Sequence, residues 1–120
     1  MVRINIDGKA YDFLFNANTS ELYYQTFSED IFEITMKMKD DKSLIMKRNR
    51  LQKLAYIANM QAKKPIRELA GRLSLVQYLE WCEQFKSGSF MEGQTVTDLL
   101  TAWSGDFETN AEEKNPVSQQ

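Results

Sequence analysis

The side chains that most often carry out catalysis are scarce in this sequence. It has no histidine and one cysteine, Cys82. Without histidine the chain cannot form a Ser-His-Asp or Cys-His nucleophile pair, and it has no imidazole to bind a metal. One cysteine excludes an internal disulfide and a cysteine-based zinc site. Because Cys82 lies at helical spacing from Leu79 and Phe85, we expect it to be a small buried hydrophobe.

Carboxylates occur in adjacent pairs, but neighbouring residues on a helix diverge by about 100°, so none of these pairs is a preset acid-base pair. The pairs are Glu29-Asp30, Asp40-Asp41 and Glu112-Glu113. Glu80 and Glu83, three residues apart, can share one edge of a helix, and we expect that edge to be solvated. The isolated glycines form no nucleotide-binding fingerprint. We therefore expect no enzymatic activity, no cofactor and no bound metal.

The net charge of −2 conceals three charge blocks: −4 over residues 1–36, +8 over residues 37–72 and −6 over residues 73–120. Either neighbouring elements neutralise the basic block within the fold, or the basic face of one subunit meets the acidic end of another. The second alternative predicts a head-to-tail homo-oligomer that weakens with salt. Its basic face would be formed by Lys47, Arg48, Arg50 and Lys53.

Nucleic acid and membranes are not expected partners. The isoelectric point is about 5.2, whereas nucleic-acid-binding domains are usually basic overall. Apolar runs are at most five residues long, and a bilayer span needs about 20. The first residues contain no apolar core of a secretory signal. A free thiol without an export signal predicts a reducing cytoplasm.

An N-terminal β-hairpin over residues 2–15 is the clearest predicted element. Val2, Ile4 and Ile6 alternate with polar residues, which is the period of a half-buried strand. The following Asp7-Gly8 pair is typical of a two-residue hairpin turn. A lone hairpin is marginally stable in water, so we expect it to pack on the helices that follow.

Four to five helices are predicted after the hairpin. Their expected ranges are 19–26, 29–39, 43–63, Ser74 to about Lys86, and Gln94 or Thr95 to Gly105. Asn18 or Thr19 is the expected N-cap of the first helix, Ser28 caps the second, and Ser74 with Gln77 forms a capping box. Residues 65–73 could include a short helix. The prediction is therefore an α+β, mostly helical domain over residues 1–103, with its helical part at 19–103 and a flexible acidic tail at 104–120.

Two places could present apolar anchors to a partner protein. Phe90 and Met91 lie in a glycine-flanked loop, where an exposed pair would be a candidate anchor. Alternatively, the pair folds back as a lid on the core. The helix after Ser74 is expected to point Leu75, Tyr78, Leu79, Cys82 and Phe85 inward. Trp81 lies slightly off that stripe and is the next candidate anchor.

Several stretches resemble the tail assembly chaperones of long-tailed bacteriophages of Gram-positive hosts. They are Ile6-Asp7-Gly8-Lys9, Tyr11 to Phe15, the segment from Asn18 to Phe32, Tyr78-Leu79-Glu80-Trp81 and the acidic tail. Family members often carry glycine where Ser28 stands here.

The resemblance implies a non-enzymatic protein of the host cytoplasm that holds the tape measure protein during tail assembly. It also implies self-association, the major tail protein as a further partner, and absence from the mature virion. Such genes are typically read in two frames, and Glu113-Lys114-Asn115 can be encoded by a slippery heptamer that would give a longer form of the chain, itself a further partner. The alternative is a small phage tail or adaptor protein that stays in the virion.

Overall fold

The computed structural model describes residues 1–31, 48–91 and 93–114, and it describes side chains for these ranges except residues 48 and 106–114. The chain opens with an antiparallel hairpin of β1, Val2–Ile6, and β2, Lys9–Phe13. Val2 lies opposite Phe13, and Ile6 lies opposite Lys9. Asp7 and Gly8 have φ values of 54° and 83°, as a primed two-residue turn requires. The predicted hairpin is confirmed.

Four α-helices follow within the described residues, so the α+β, mostly helical prediction is confirmed. They are α1, Ala17–Phe27; α2, Arg48–Lys63; α3, Leu75–Cys82; and α4, Gln94–Lys114. A 3₁₀ turn, Ile66–Glu68, lies in the segment whose structure the sequence left ambiguous. Residues 32–47, which include most of the predicted helix 29–39 and the start of the predicted helix 43–63, lie outside the described residues.

The start of α1 differs from the prediction, because Asn16 is the N-cap in place of Asn18 or Thr19. The Asn16 side chain accepts a hydrogen bond from the Asn18 N–H at 2.9 Å, and Thr19 Oγ1 accepts from the Asn16 N–H at 3.0 Å. Thr19 is fully buried, and its hydroxyl also donates to Gln61 Oε1 on α2 at 2.6 Å. A buried hydroxyl needs such partners, and this requirement places the cap two residues earlier.

Ser28 ends α1 and is not the N-cap that the sequence predicted. It adopts the left-handed conformation, with φ 56°, and its N–H donates to the Tyr24 carbonyl at 2.7 Å. This conformation is the one that glycine adopts most readily at the end of a helix. Ser28 therefore holds a backbone conformation that glycine adopts at less cost than serine.

The core is built around α2, which contacts β2, α1 and α3, while α4 packs against β1. Leu14 N–H donates to the Ala58 carbonyl at 3.0 Å and joins the hairpin to the middle of α2. Fully buried large side chains come from both strands, from α1, α2 and α4 and from connecting segments: Ile6, Phe13, Tyr23, Ile31, Leu51, Tyr56, Ile57, Leu69, Phe90 and Leu99.

The hairpin turn also holds the segment between α3 and α4. The Asp7 carboxylate accepts hydrogen bonds from Ser89 Oγ at 2.8 Å and from the Lys86 N–H at 3.1 Å. Thr95 Oγ1, in the first turn of α4, donates to the Asn5 carbonyl at 3.0 Å. The two ends of the described chain are therefore joined by polar contacts as well as by the core.

Two helix ends differ from the prediction. α3 ends at Cys82, whereas the sequence predicted about Lys86, because residues 83–91 form successive turns. α4 continues through Gly105 to Lys114, so the backbone of 104–114 is helical where a flexible tail was predicted. A glycine inside a helix costs about 1 kcal/mol relative to alanine, which is too little to end a helix by itself. None of the helices in the described ranges is both long and apolar enough to cross a membrane.

Candidate partner-binding surface

The structure places two of the three predicted anchors in the core. Trp81 is 7% exposed and Phe90 is 2% exposed. The Trp81 ring contacts Tyr56, Phe85 and Phe90 at centroid distances of 5.5, 4.7 and 6.0 Å. Neither side chain is available to a partner in this conformation, so the exposure that an anchor at Trp81 or Phe90 would need is not observed. For Phe90 the alternative of a lid on the core is the observed one, and Met91 beside it is half-buried.

Burial of Trp81 has a specific polar cause on α2. Its indole N–H donates to Asn59 Oδ1 at 2.9 Å, and Asn59 Nδ2 donates to the Asp12 carbonyl at 2.8 Å. Asn59 is 1% exposed. A tryptophan N–H usually needs an acceptor when it is buried, and Asn59 provides one. The contact fixes which side of α3 faces the core.

Aromatic contacts fix the same side of α3 from α1 and α2. Tyr78, one turn before Cys82, packs edge-on against Phe27 at 5.1 Å and against Tyr56 at 5.5 Å. Tilted and edge-to-face pairs of this kind add about 0.5–1.5 kcal/mol beyond the area that they bury. Tyr78 and Trp81 therefore form the inward side of α3.

The opposite side of α3 is apolar and exposed to solvent. Leu75, Val76 and Leu79 are 55%, 65% and 53% exposed. Leu79 lies one turn after Leu75, and Val76 borders this pair, so the three side chains form one continuous exposed side of α3. The prediction that Tyr78 points inward is confirmed, whereas the prediction for Leu75 and Leu79 is wrong, because Trp81 is the residue that joins Tyr78 in the core. We call Leu75, Val76 and Leu79 the α3 face.

Charged side chains stand at both ends of the α3 face. Glu80 follows Val76 by four residues, and Glu83 follows Leu79 by four, so each carboxylate extends an apolar row by one turn. Both glutamates are exposed, as the sequence predicted for this acidic edge. Arg72, also exposed, precedes the Ser74 N-cap. The surface is therefore basic at the N-terminal end of α3, apolar along it and acidic at its C-terminal end.

The capping box at the start of α3 confirms the prediction for Ser74 and Gln77. Ser74 Oγ accepts from the Gln77 N–H at 3.2 Å, and Gln77 Oε1 accepts from the Ser74 N–H at 3.0 Å. Near the other end, Cys82 Sγ accepts from Gln52 Nε2 on α2 at 2.9 Å. Cys82 is half-buried and packs at the edge of the core, so α3 is held at both ends.

Part of the predicted basic face is neutralised within the chain. Lys53 Nζ lies 3.3 Å from Glu29 Oε2 and 5.1 Å from the centre of the Phe27 ring. Arg50 is half-buried; the side chain of Arg48 and all of Lys47 lie outside the described side chains. For Lys53 the observed arrangement is neutralisation by a neighbouring element.

Glu29 also accepts a hydrogen bond from the Tyr23 hydroxyl at 2.7 Å. Burial raises the pKa of Glu29, but Tyr23, Lys53 and Arg50 together outweigh burial and hold that pKa below its usual value. Burial, followed by the contact with Glu29, raises the pKa of Tyr23. Glu29 is therefore charged at neutral pH and joins the end of α1 to α2.

A shallow cleft of about 140 Å³ lies beside the start of α1. The amides and hydroxyl that line or border it already bond one another: Gln61 Nε2 donates to Asn16 Oδ1 at 2.8 Å, and Thr19 donates to Gln61. Among the described residues, no group of three or more carboxylates and thiols is arranged to hold a metal ion. The α3 face is therefore the strongest candidate for a functional surface.

The composition of α3 indicates an exposed apolar face, although the periodicity of its residues alone does not. The segment of α3 reads LVQYLEWC, in which only the glutamine and the glutamate are strongly polar. An eight-residue helix packed on one side cannot bury apolar residues on every side. Some of them had to be exposed, but the choice between Trp81 and Leu79 depended on Asn59 in another helix.

Comparison of the chain with protein-family models, curated proteins and solved structures finds no match.

Proposed function

We propose that this chain is a tail assembly chaperone of a long-tailed bacteriophage or prophage of a Gram-positive host, and that it acts by binding without catalysis. In this role it holds the tape measure protein in the host cytoplasm until the tube forms around it, and it is absent from the mature virion. The observation that carries the proposal is the α3 face, an apolar surface on a helix that is firmly held by the core.

The chemistry of the client fits this surface. A tape measure protein is long and helical and exposes apolar faces before the tube encloses it. Leu75, Val76 and Leu79 offer aliphatic side chains that can pack against many different apolar helices, as a binder of varied segments requires. An amphipathic helix laid on such a surface is a common mode of recognition.

Two features of the backbone also support the resemblance. The Asp7-Gly8 turn forms the hairpin that the matching residues imply. Ser28 has a left-handed conformation, which suits the glycine that family members often carry there. Self-association, the major tail protein and a frameshifted longer form remain further proposed partners.

Co-expression with the tape measure protein of the same genome tests the proposal. We expect the two chains to purify together, and we expect Leu79→Glu to lower recovery of the tape measure protein at least about tenfold, because a buried carboxylate in the contact costs more than 1.4 kcal/mol. Tyr24→Glu is the matched control, because it introduces the same charge at a position that is 58% exposed on a different helix, α1. Equal recovery with both variants would contradict the assignment of the face.

The virion supplies a second readout. A chaperone should be missing from purified phage particles, whereas a tail or adaptor protein should be present in a fixed ratio to the other tail proteins. Finding the chain stoichiometrically in mature tails would overturn the chaperone proposal in favour of that alternative.

A further inference from the structure

We propose that a second copy of this chain covers the α3 face through an antiparallel, two-fold contact between the two α3 helices. The second copy would cover the same face that is proposed to receive the tape measure protein. Only the biological role of this contact therefore rests on the proposed function. The contact itself follows from the exposure and the charges of α3.

The apolar part of the contact comes from three side chains that are each more than half exposed. Contiguous apolar surface on a folded protein commonly marks an interaction site. Packing Leu75, Val76 and Leu79 of one copy against the same three residues of another removes both faces from water. In an antiparallel pair, Leu75 of each copy lies near Leu79 of the other.

The charges select the antiparallel direction. Arg72 stands at the N-terminal end of α3, and Glu80 and Glu83 stand at its C-terminal end; within the described parts of the chain, none of the three forms an ion pair. An antiparallel pair brings the two glutamates of each copy to Arg72 of the other. A parallel pair would place arginine beside arginine and glutamates beside glutamates.

The helix dipole favours the same direction. The N-terminal end of a helix carries a partial positive charge, which attracts carboxylates. In the antiparallel pair, Glu80 and Glu83 of one copy approach the N-terminal end of the other copy's α3. Because the two ends of the contact are equivalent, the pairing of Arg72 with the two glutamates and the attraction of the glutamates to the helix dipole each occur twice. Both copies also bury their α3 face.

The symmetry predicts a closed dimer of low affinity. Both copies contribute the same surface to the contact, so a dimer uses up this surface and no third copy can bind through it. The helix is only about 12 Å long, and a stable interface usually buries about 800 Å² per partner. We therefore expect a dimer of micromolar or weaker affinity that protects the α3 face when no client is present and gives way to a client helix.

Sedimentation of the purified full chain over a wide concentration range tests the dimer. We expect a monomer–dimer equilibrium without larger species. Leu79→Glu should weaken it at least about tenfold, while Tyr24→Glu should leave it unchanged. Far-UV circular dichroism of each variant verifies that the chain is folded. Growth beyond the dimer, or a dimer that Leu79→Glu does not weaken, would overturn the proposal.

A charge exchange tests the direction of the helices. Arg72→Glu and the double variant Glu80→Arg/Glu83→Arg should each dimerise less than the wild-type chain, because each places like charges together. Mixed in equal amounts, the two variants should recover association as a heterodimer, because opposite charges then meet at both ends. The weakening of each variant alone reports the direction, because a parallel pair already places like charges together in the wild-type chain. A mixture that associates no better than either variant alone would exclude the antiparallel contact.

These results are independent of client binding. A chain that is monomeric at all concentrations but still retains the tape measure protein would overturn the dimer and leave the proposed function intact. A chain that forms the dimer but retains no tape measure protein would overturn the proposed function and leave the dimer intact.

Discussion

Glu29 shows how a single side chain joins two helices by electrostatics. It receives the Tyr23 hydroxyl and pairs with Lys53, and its side chain is 30% exposed. Such a partly exposed pair is screened by solvent, so we expect it to contribute less than about 1 kcal/mol. Its value lies in geometry, since it holds the segment that follows the left-handed Ser28 against α2.

Acid should remove this contribution. The pKa of Glu29 in the folded chain lies below the ordinary value of 4.5, so the carboxylate stabilises the fold above that value and ceases to do so as the pH falls through the lowered pKa. We expect Glu29→Gln to be less stable than the wild-type chain at pH 7, with a difference that shrinks steadily below about pH 4.5.

Urea unfolding at several pH values between neutral and strongly acidic measures this difference. Glu21→Gln, which removes an exposed carboxylate from α1, controls for the loss of one negative charge. A difference between Glu29→Gln and the wild-type chain that stays constant with pH would contradict a role for the Glu29 charge.

Residue-level prediction from the sequence succeeded where the signal was local and failed where it was not. Periodicity predicted that α3 is a helix, and the capping-box pattern predicted Ser74 with Gln77 at its start. The inward choice of Trp81 over Leu79 depends on Asn59, which lies 22 residues earlier in the chain and looks like an ordinary polar position of α2. A single sequence does not show which distant acceptor will meet an indole N–H.

At the scale of elements, α3 is the one most dependent on its surroundings. It has eight residues, and isolated helices shorter than about 12–15 residues are marginal in water. Its stability must come from the capping box, the inward aromatic pair and the Gln52–Cys82 contact. A defect at any of these should therefore weaken the packing of α3 on the core and lower the stability of the fold.

The Ser74 cap gives the most direct test. Ser74→Ala removes the acceptor for the Gln77 N–H and should lower the free energy of unfolding by about 1 kcal/mol. Ser74→Asp keeps an acceptor and places a negative charge at the N-terminus of α3, so its stability should stay close to that of the wild-type chain. Chemical denaturation compares the three chains, and equal losses for both variants would show that capping is not the cause.

The other elements differ in how far local signals defined them. The hairpin followed from alternation and Asp7-Gly8, because both its strands and its turn are encoded within 15 residues. The start of α1 was misplaced because Thr19 bonds Gln61 across the core. The predicted end of α4 at Gly105 is wrong because glycine often ends a helix but can also lie inside one.

At the scale of the whole molecule, one core joins the beginning and the end of the described chain. Phe15 lies 5.8 Å from Trp103 between ring centres, while Trp81 packs with the aromatic residues around α3. The two tryptophans therefore report on different regions of the same core. Small domains with one core usually unfold in a single cooperative transition.

Variants with a single tryptophan test this cooperativity. Trp81→Phe leaves Trp103 as the only indole, and Trp103→Phe leaves Trp81. Within each variant, we expect fluorescence and far-UV circular dichroism to give the same urea midpoint, even though Trp81→Phe lowers stability by removing the bond to Asn59. Separate midpoints in either variant would show that the α3 region and the hairpin region unfold independently.

The hydrogen bonds from the hairpin turn have a consequence for the order of events on the ribosome. Ser89 follows Asp7 by 82 residues, and at about 5–20 residues per second this interval takes roughly 4–16 s. For that time the hairpin tip lacks its partners, and β1 lacks the helix α4 that covers it. A chain that is proposed to protect an incomplete assembly therefore has, during its own synthesis, an apolar hairpin that its last helix does not yet cover.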